Sequence, residues 1–446
     1  MKRWSVPLLC ALLALEAHAA PGTVTLDADE LSRLTRAAVG ATVELEEFPV
    51  GPGVLAAVRF ERIDVYAADA RIVEMTATGE RELPRSRHVH LIGTSTDGSA
   101  RIGLSLDPAS GALFEGAGNS ATSGAFAVRA KSTAAGYTFE AIDARTALPP
   151  GVVLEYADNV DSIDVADSAA GLLDHLATPP VTAASTPATL AVIAIDTDNE
   201  FLQKRFSDNT TQAVAWIATL FVQLNVFYRN DLDMVLLQGT TVLRPSSTAD
   251  PYSNTDTPAS NAQLVEFGSW WAGNQGAVSR AFAMLLSGKS SSGNSASGIA
   301  WVDRYCVNSV GNGGSYSVNQ VFWNPGITAA QNAFLVGHEL GHNFGARHTH
   351  CANATTGSGP TGTNTIDQCY AGEASLGCYA GAVSCPVSGP GAPKGTLMSY
   401  CHVSSANCGQ NVLQFHPTHV TQVRNRIAAN TPSCLKPELI FANGFQ

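Results

Sequence analysis

The chain has 446 residues, enough for two or three domains, and 45% of them are hydrophobic, so a large core can be buried. Lysine and arginine number 26 against 38 aspartates and glutamates, giving a net charge of −12. That balance argues against a nucleic-acid partner, which would require a basic face, and decides little else about partners.

Residues 1–19 read as a secretory signal peptide. Lys2 and Arg3 supply the positive start, Trp4 to Leu15 the apolar run, and Ala17-His18-Ala19 the small-x-small site that places the cut after Ala19. The run is shorter than the roughly 20 residues that span a bilayer. Leu8 and Leu9, just before Cys10, stand where a lipoprotein signal would have small residues. No later segment reads as a membrane span. Cys10 leaves with the signal. Cys306, Cys351, Cys369, Cys378, Cys385, Cys401, Cys408 and Cys434 remain, and an even number in an exported chain implies disulfides, with the pairing left open.

Residues 20 to about 175 read as β-rich. "VGPGVLAAVRFERIDVY", "SRHVHLIGTS" and "GAFAVRA" alternate apolar and polar residues between Gly, Ser and Asp breaks. His88 and His90 alternate on one such strand and read as exposed, bland residues. "LATPPVTAASTPA" (176–188) is a Pro/Ala/Thr-rich linker, a domain boundary and a place for a protease to cut.

Beyond the linker, "TLAVIAIDTD" (189–198) and "DMVLLQGTTVL" (233–243) read as strands around a long core helix at 210–228. Ser260 with Gln263 is a capping-box signature for a helix to about Ala272. Residues 280–288, 298–306 and 315–323 read as further strands. Strands alternating with helices make an α/β sheet.

Thr328 with Gln331 forms a second capping box and starts a helix into "AAQNAFLVGHELGHNF". His338 and His342 are one turn apart on one face, so two imidazoles can grip one ion. Glu339 is rotated about 100° from His338, badly placed to bind the same ion but well placed to reach a water on it. Gly345 can end the helix in a sharp turn that returns His348 as a third ligand. Three protein ligands leave a fourth position open, the mark of a catalytic zinc.

This H-E-x-x-H-x-x-G-x-x-H stretch resembles the extended zinc motif of the metzincin metallopeptidases. "GTLMSYC" (395–401) looks like their methionine turn, with Met398 fifty residues after His348 as a floor under the metal. With the cysteine-rich stretch between, the chain is most similar to the reprolysin, or adamalysin-like, branch in a bacterial secreted form, over roughly residues 189–434. Two departures stand out: Thr349 follows His348 where reprolysins carry Asp, and Tyr400 resembles the astacin and serralysin tyrosine that approaches the metal.

The resemblance implies a metzincin α/β catalytic domain over residues 186–436. A twisted mixed sheet, an active-site helix, a zinc cleft and a disulfide-rich C-terminal part would follow a β-rich propeptide over residues 20–185. It implies a zinc endopeptidase made as a zymogen, with His338, His342 and His348 on one Zn2+. Glu339 would be general base to the zinc-activated water, Tyr400 would steady the oxyanion, and "GIAW" (298–301) would be the edge strand along which protein or peptide substrates lie antiparallel. The propeptide has no cysteine to block the metal, so it is expected to inhibit by covering the cleft. His350, His402, His416 and His419 lack ligand spacing and read as surface or packing residues. The loop from Cys351 to Pro393 would shape the specificity pocket. Ca2+ is bound by extracellular relatives, but no D-x-D-x-D-G loop supports it here. The tail 437–446 resembles the I-F-x-x-G-F ending of exported proteins of some Gram-negative bacteria. Competing readings are a catalytically silent metzincin-fold binding module, such as an adhesin or toxin component, and a zinc hydrolase of another branch with Glu373 as third ligand.

Overall fold

The structure, a computed structural model, describes residues 22–144, 147–150, 152–156, 162–163, 188–387, 394–402, 408–409 and 411–437. The expected signal peptide, most of the linker and nearly all of the C-terminal tail lie outside these residues.

The first ten strands are β1 (Thr23–Leu26), β2 (Thr42–Gly51), β3 (Val54–Ile63), β4 (Ile72–Thr76), β5 (Gly79–Leu83), β6 (Val89–Ser95), β7 (Ala100–Leu106), β8 (Leu113–Ser120), β9 (Gly124–Thr133) and β10 (Gly136–Asp143). Eight of them form an antiparallel sheet in the order β1-β10-β9-β8-β7-β6-β3-β2. Alternation puts one side chain in two on the inner face. The sheet curls so that β2 also lies against β10, enclosing Phe48, Phe60, Phe126 and Phe139. Helix α1 (Ala28–Arg36) starts from a capping box of Asp27 and Glu30.

The β4–β5 hairpin leaves this sheet and joins a second, ten-stranded one. Its other members are β11 (Glu155–Tyr156), β12 (Ser162–Ile163), β13 (Thr189–Thr197), β14 (Met234–Leu243), β15 (Phe282–Ser287), β16 (Ser295–Trp301), β17 (Tyr316–Gln320) and β18 (Lys436–Pro437). The main path is β11-β16-β17-β15-β13-β14-β4-β5. The central pairs are parallel, while β16–β17 and β4–β5 are antiparallel, so the sheet is mixed. Helices α2 (Thr210–Leu232) and α4 (Ala329–Asn343) cover one face, and α3 (Asn261–Asn274) the other. The strand period divides the two cores: Ile193, Ile195, Met284 and Leu286 pack with α2 and α4, whereas Ala194, Ala283 and Leu285 pack with α3. Helix α5 (Pro417–Ala429) adds Val423 and Ile427 to the larger core.

The α/β sheet is thus as expected, and the Ser260 cap holds, its hydroxyl accepting from Gln263 N at 3.3 Å. Three expectations need correction. Helix α2 is long and apolar enough by length and composition to cross a membrane, contrary to the reading of no later span, but 83% of its most apolar window is buried inside the protein. It is apolar all round because it lies between the two sheets: Gln223 Nε2 donates to Gly103 O at 3.2 Å and Thr219 Oγ1 to Ser105 Oγ at 3.0 Å. That contact also buries His90, which is 4% exposed rather than solvent-facing. Its Nδ1 lies 3.0 Å from Ser105 Oγ. Finally, the strand expected at 298–306 ends at Trp301. The following backbone serves the end of α4: Asp303 N donates to His342 O at 2.9 Å, and Asn343 Nδ2 to Trp301 O at 2.9 Å.

All eight expected cysteines pair, as Cys306–Cys434, Cys351–Cys378, Cys369–Cys401 and Cys385–Cys408. Four disulfides suit an oxidising, extracellular setting.

Candidate metal centre

Helix α4 starts where the sequence signals it. Thr328 Oγ1 accepts from Gln331 N at 3.3 Å, and Gln331 Oε1 accepts from Thr328 N at 2.7 Å. The first two helical N–H groups, of Ala329 and Ala330, donate to Glu115 on β8 at 3.0 and 2.8 Å. The orphan donors of the first turn are thereby satisfied. At the other end Gly345 has φ +102, a left-handed value that glycine takes without a Cβ clash. Gly345 N donates to His342 O at 2.8 Å, and the chain turns back.

This turn brings His348 to the helix face carrying His338 and His342. The Nε2 of His342 lies 3.1 Å from the Nε2 of His338 and 3.1 Å from that of His348. The His338–His342 contact is not a hydrogen bond, because each of those rings spends its proton elsewhere. His338 Nδ1 donates to Leu397 O at 2.8 Å, and His342 Nδ1 to Ala346 O at 2.8 Å. A carbonyl oxygen can only accept, so both Nδ1 atoms carry the proton. His348 Nδ1 likewise donates to Glu373 Oε2 at 2.9 Å. Burial, with His348 beside it, lowers His338 to about 3 and drives His342 well below its ordinary value, so these rings are neutral. The three Nε2 atoms converge in a buried pocket. The arrangement is repulsive by itself and favourable around a cation, and it fits zinc: two nitrogens about 2.1 Å from a tetrahedral ion sit roughly 3.4 Å apart.

Glu339 is wholly buried, with its carboxylate against β16 at Gly298. A Cβ on residue 298 would fall 2.5 Å from Glu339 Cδ. Gly298 thus makes the room in which the carboxylate sits beside the metal face rather than on it, as its rotation about the helix requires.

The segment Thr396–Tyr400 passes beneath the helix. Met398 is wholly buried, and a Cβ on Gly341 would lie 2.7 Å from its sulfur, so the small residue lets the methionine close up under the histidines. Thr349 ties this segment to the third histidine. Its N–H donates to Met398 O at 3.1 Å and its hydroxyl to Ser399 Oγ at 3.0 Å. Tyr400 is 5% exposed and packs its ring 4.4 Å from His348 and 5.0 Å from Tyr370.

Glu373 does not stand as a third ligand. It lies behind His348, on the Nδ1 side, and accepts from His350 Nε2 at 2.7 Å. The four remaining histidines are packing residues rather than ligands, one of the two readings the sequence offered. His350 and His419 are wholly buried, and His416 accepts from Thr418 N at the start of α5. His402 is half-buried, its ring 5.2 Å from Phe334. Glu115, Gly298 and the Glu373–His350 pair were missed from sequence, since no spacing rule relates them to the zinc motif.

Three imidazole nitrogens converging beside a buried carboxylate are the donor set of a mononuclear zinc hydrolase. A family model described as Metallo-peptidase family M12, of the reprolysin group, matches residues 186–411, and the chain belongs to that family. It is accordingly a reprolysin-like metzincin and a zinc metalloendopeptidase. No curated protein matches it. Among solved structures, metalloproteinase-II from Bacteroides fragilis aligns at 11% identity and a TM-score of 0.35, covering 72% of this chain and 86% of that one. A chaperone–substrate complex aligns at 13% identity and a TM-score of 0.25, covering 37% of this chain and 28% of that one. Likenesses this weak carry no argument.

Proposed function

We propose that the protein is a secreted endopeptidase made as a zymogen, in which His338, His342 and His348 hold one zinc ion and Glu339 is the general base. The observation that carries the reading is the convergence of three Nε2 atoms whose rings each donate through Nδ1. Zinc held by these three histidines would polarise the scissile carbonyl and bring a water's pKa toward neutrality. Glu339 takes the proton of the attacking water as its oxygen bonds to the carbonyl carbon, then delivers that proton to the amide nitrogen as the C–N bond breaks. Tyr400, its ring tilted and 4.4 Å from that of His348, is assigned to the oxyanion.

Residues 20–185 are the inhibitory propeptide in this reading, and 186–436 the catalytic domain. Its support is the occupant of β16. Glu155 and Tyr156 pair with Ser295 and Ala296, and Ser162 and Ile163 with Ala300 and Trp301, all in parallel. That edge includes "GIAW", where an antiparallel substrate would make its main-chain bonds. The chain's own segment thus holds the edge in the direction opposite to a substrate. Four disulfides support secretion.

The test is cleavage of a quenched casein by wild type and Glu339→Gln, each cut in the linker near residues 176–188. Cleavage by wild type alone, with zinc bound to both, is expected. Equal activity in the two would remove Glu339 from the mechanism, and no activity in either would favour the silent binding module.

A further inference from the structure

The three histidines are not held alike. His338 and His342 donate Nδ1–H to backbone carbonyls of Leu397 and Ala346, acceptors that no side-chain substitution removes. His348 lies beyond the helix, and its Nδ1–H goes to a side chain, Glu373 Oε2, at 2.9 Å. The same oxygen accepts from His350 Nε2 at 2.7 Å. All three groups are nearly or wholly buried: His348 is 1% exposed, Glu373 2% and His350 0%. The rings of His348 and His350 stack at 5.3 Å and 17°. The Cys351–Cys378 disulfide closes the loop that returns Glu373 to them.

We propose that Glu373, pinned by His350, is a positioning residue for the metal centre. It fixes His348 in the Nδ1–H tautomer, with its Nε2 lone pair turned toward the other two histidines. The inference rests on the reading of those three residues as zinc ligands. A buried carboxylate on the far nitrogen of a ligating imidazole both orients the ring and raises its basicity, and loss of such a partner weakens metal binding by about 10- to 100-fold. Because Glu373 faces away from the converging nitrogens, it acts through His348 and not on the substrate.

The experiment is zinc affinity of the full chain by chelator competition, beside the melting temperature of the zinc-free protein, for wild type, Glu373→Met and Glu373→Gln. Met fills the volume without an acceptor and is expected to bind zinc about 10- to 100-fold more weakly. Gln keeps an acceptor oxygen and is expected to recover most of that loss, with a similar zinc-free melting temperature. Affinity in the Met variant within about twofold of wild type would overturn the inference, as would a Gln variant as weak as Met. Should the Met variant not fold, Glu373→Asp carries the test. It withdraws the carboxylate by one methylene, so roughly fivefold weaker binding is expected and wild-type affinity would overturn the proposal. A wild type that took up no zinc would instead remove the metal site itself, and this inference with it.

Discussion

The backbone N–H of Ala329, the first residue of the active-site helix, donates to the carboxylate of Glu115, which lies 214 residues earlier on the N-terminal sheet. The next N–H, of Ala330, does the same. The helix carrying the catalytic motif is therefore capped by the part of the chain assigned to the propeptide. A carboxylate there also complements the positive end of the helix dipole.

Replacing Glu115 by Ala leaves two inner N–H groups without their acceptor. Arg205, close by and donating to Phe322 O and Asn324 O, loses a neighbouring negative charge. The expected cost to the full chain is about 1 to 3 kcal/mol. Urea unfolding at neutral pH measures it, and an unchanged midpoint would show that water caps the helix as well.

A methyl group at position 298 is the smallest change that should disable the base. Gly298→Ala puts a Cβ 2.5 Å from Glu339 Cδ, so the carboxylate must move. Misplacing a reacting group by about 1 Å costs on the order of 100-fold in rate. We expect that loss in kcat on a peptide substrate after linker cleavage, with zinc content unchanged. Normal kcat would mean that Glu339 has more room than its packing implies.

The helix of the motif was legible in the sequence because its signals are local. Thr328 and Gln331 start it, Gly345 ends it, and His338 and His342 share a face by period alone. What was not legible depends on contacts distant in sequence. His90 looks like an exposed strand residue until α2 packs on it. The strand through Trp301 looks longer than it is, because Asp303 is claimed by the carbonyl of His342. Glu373 follows His348 by 25 residues and reaches it through a loop closed by a disulfide whose pairing no spacing determines.

Acid should loosen the contact between the N-terminal sheet and α2. Burial first, then His88 and Arg62, lowers His90 to about 3 from its ordinary 6.5. Above pH 6.5 the ring is neutral in both folded and unfolded chains and costs nothing. As pH falls from 6.5 toward about 3, the unfolded chain takes up a proton that the folded chain refuses, so stability declines across that window. At pH 5 the deficit from this group is at most about 2 kcal/mol. Denaturation of wild type and His90→Gln at pH 7 and pH 5 tests it: the variant should lose less stability between the two. Equal losses would place the acid sensitivity elsewhere.

The central claim is that three imidazoles, each donating through Nδ1, turn their Nε2 atoms onto one ion. Zinc per chain, measured by native mass spectrometry after dialysis against a weak chelator, tests it most directly in wild type and in His338→Ala, His342→Ala and His348→Ala. The account predicts one zinc per wild-type chain and none retained in any of the three variants. Zinc-free wild type, or full retention in any one variant, would contradict it.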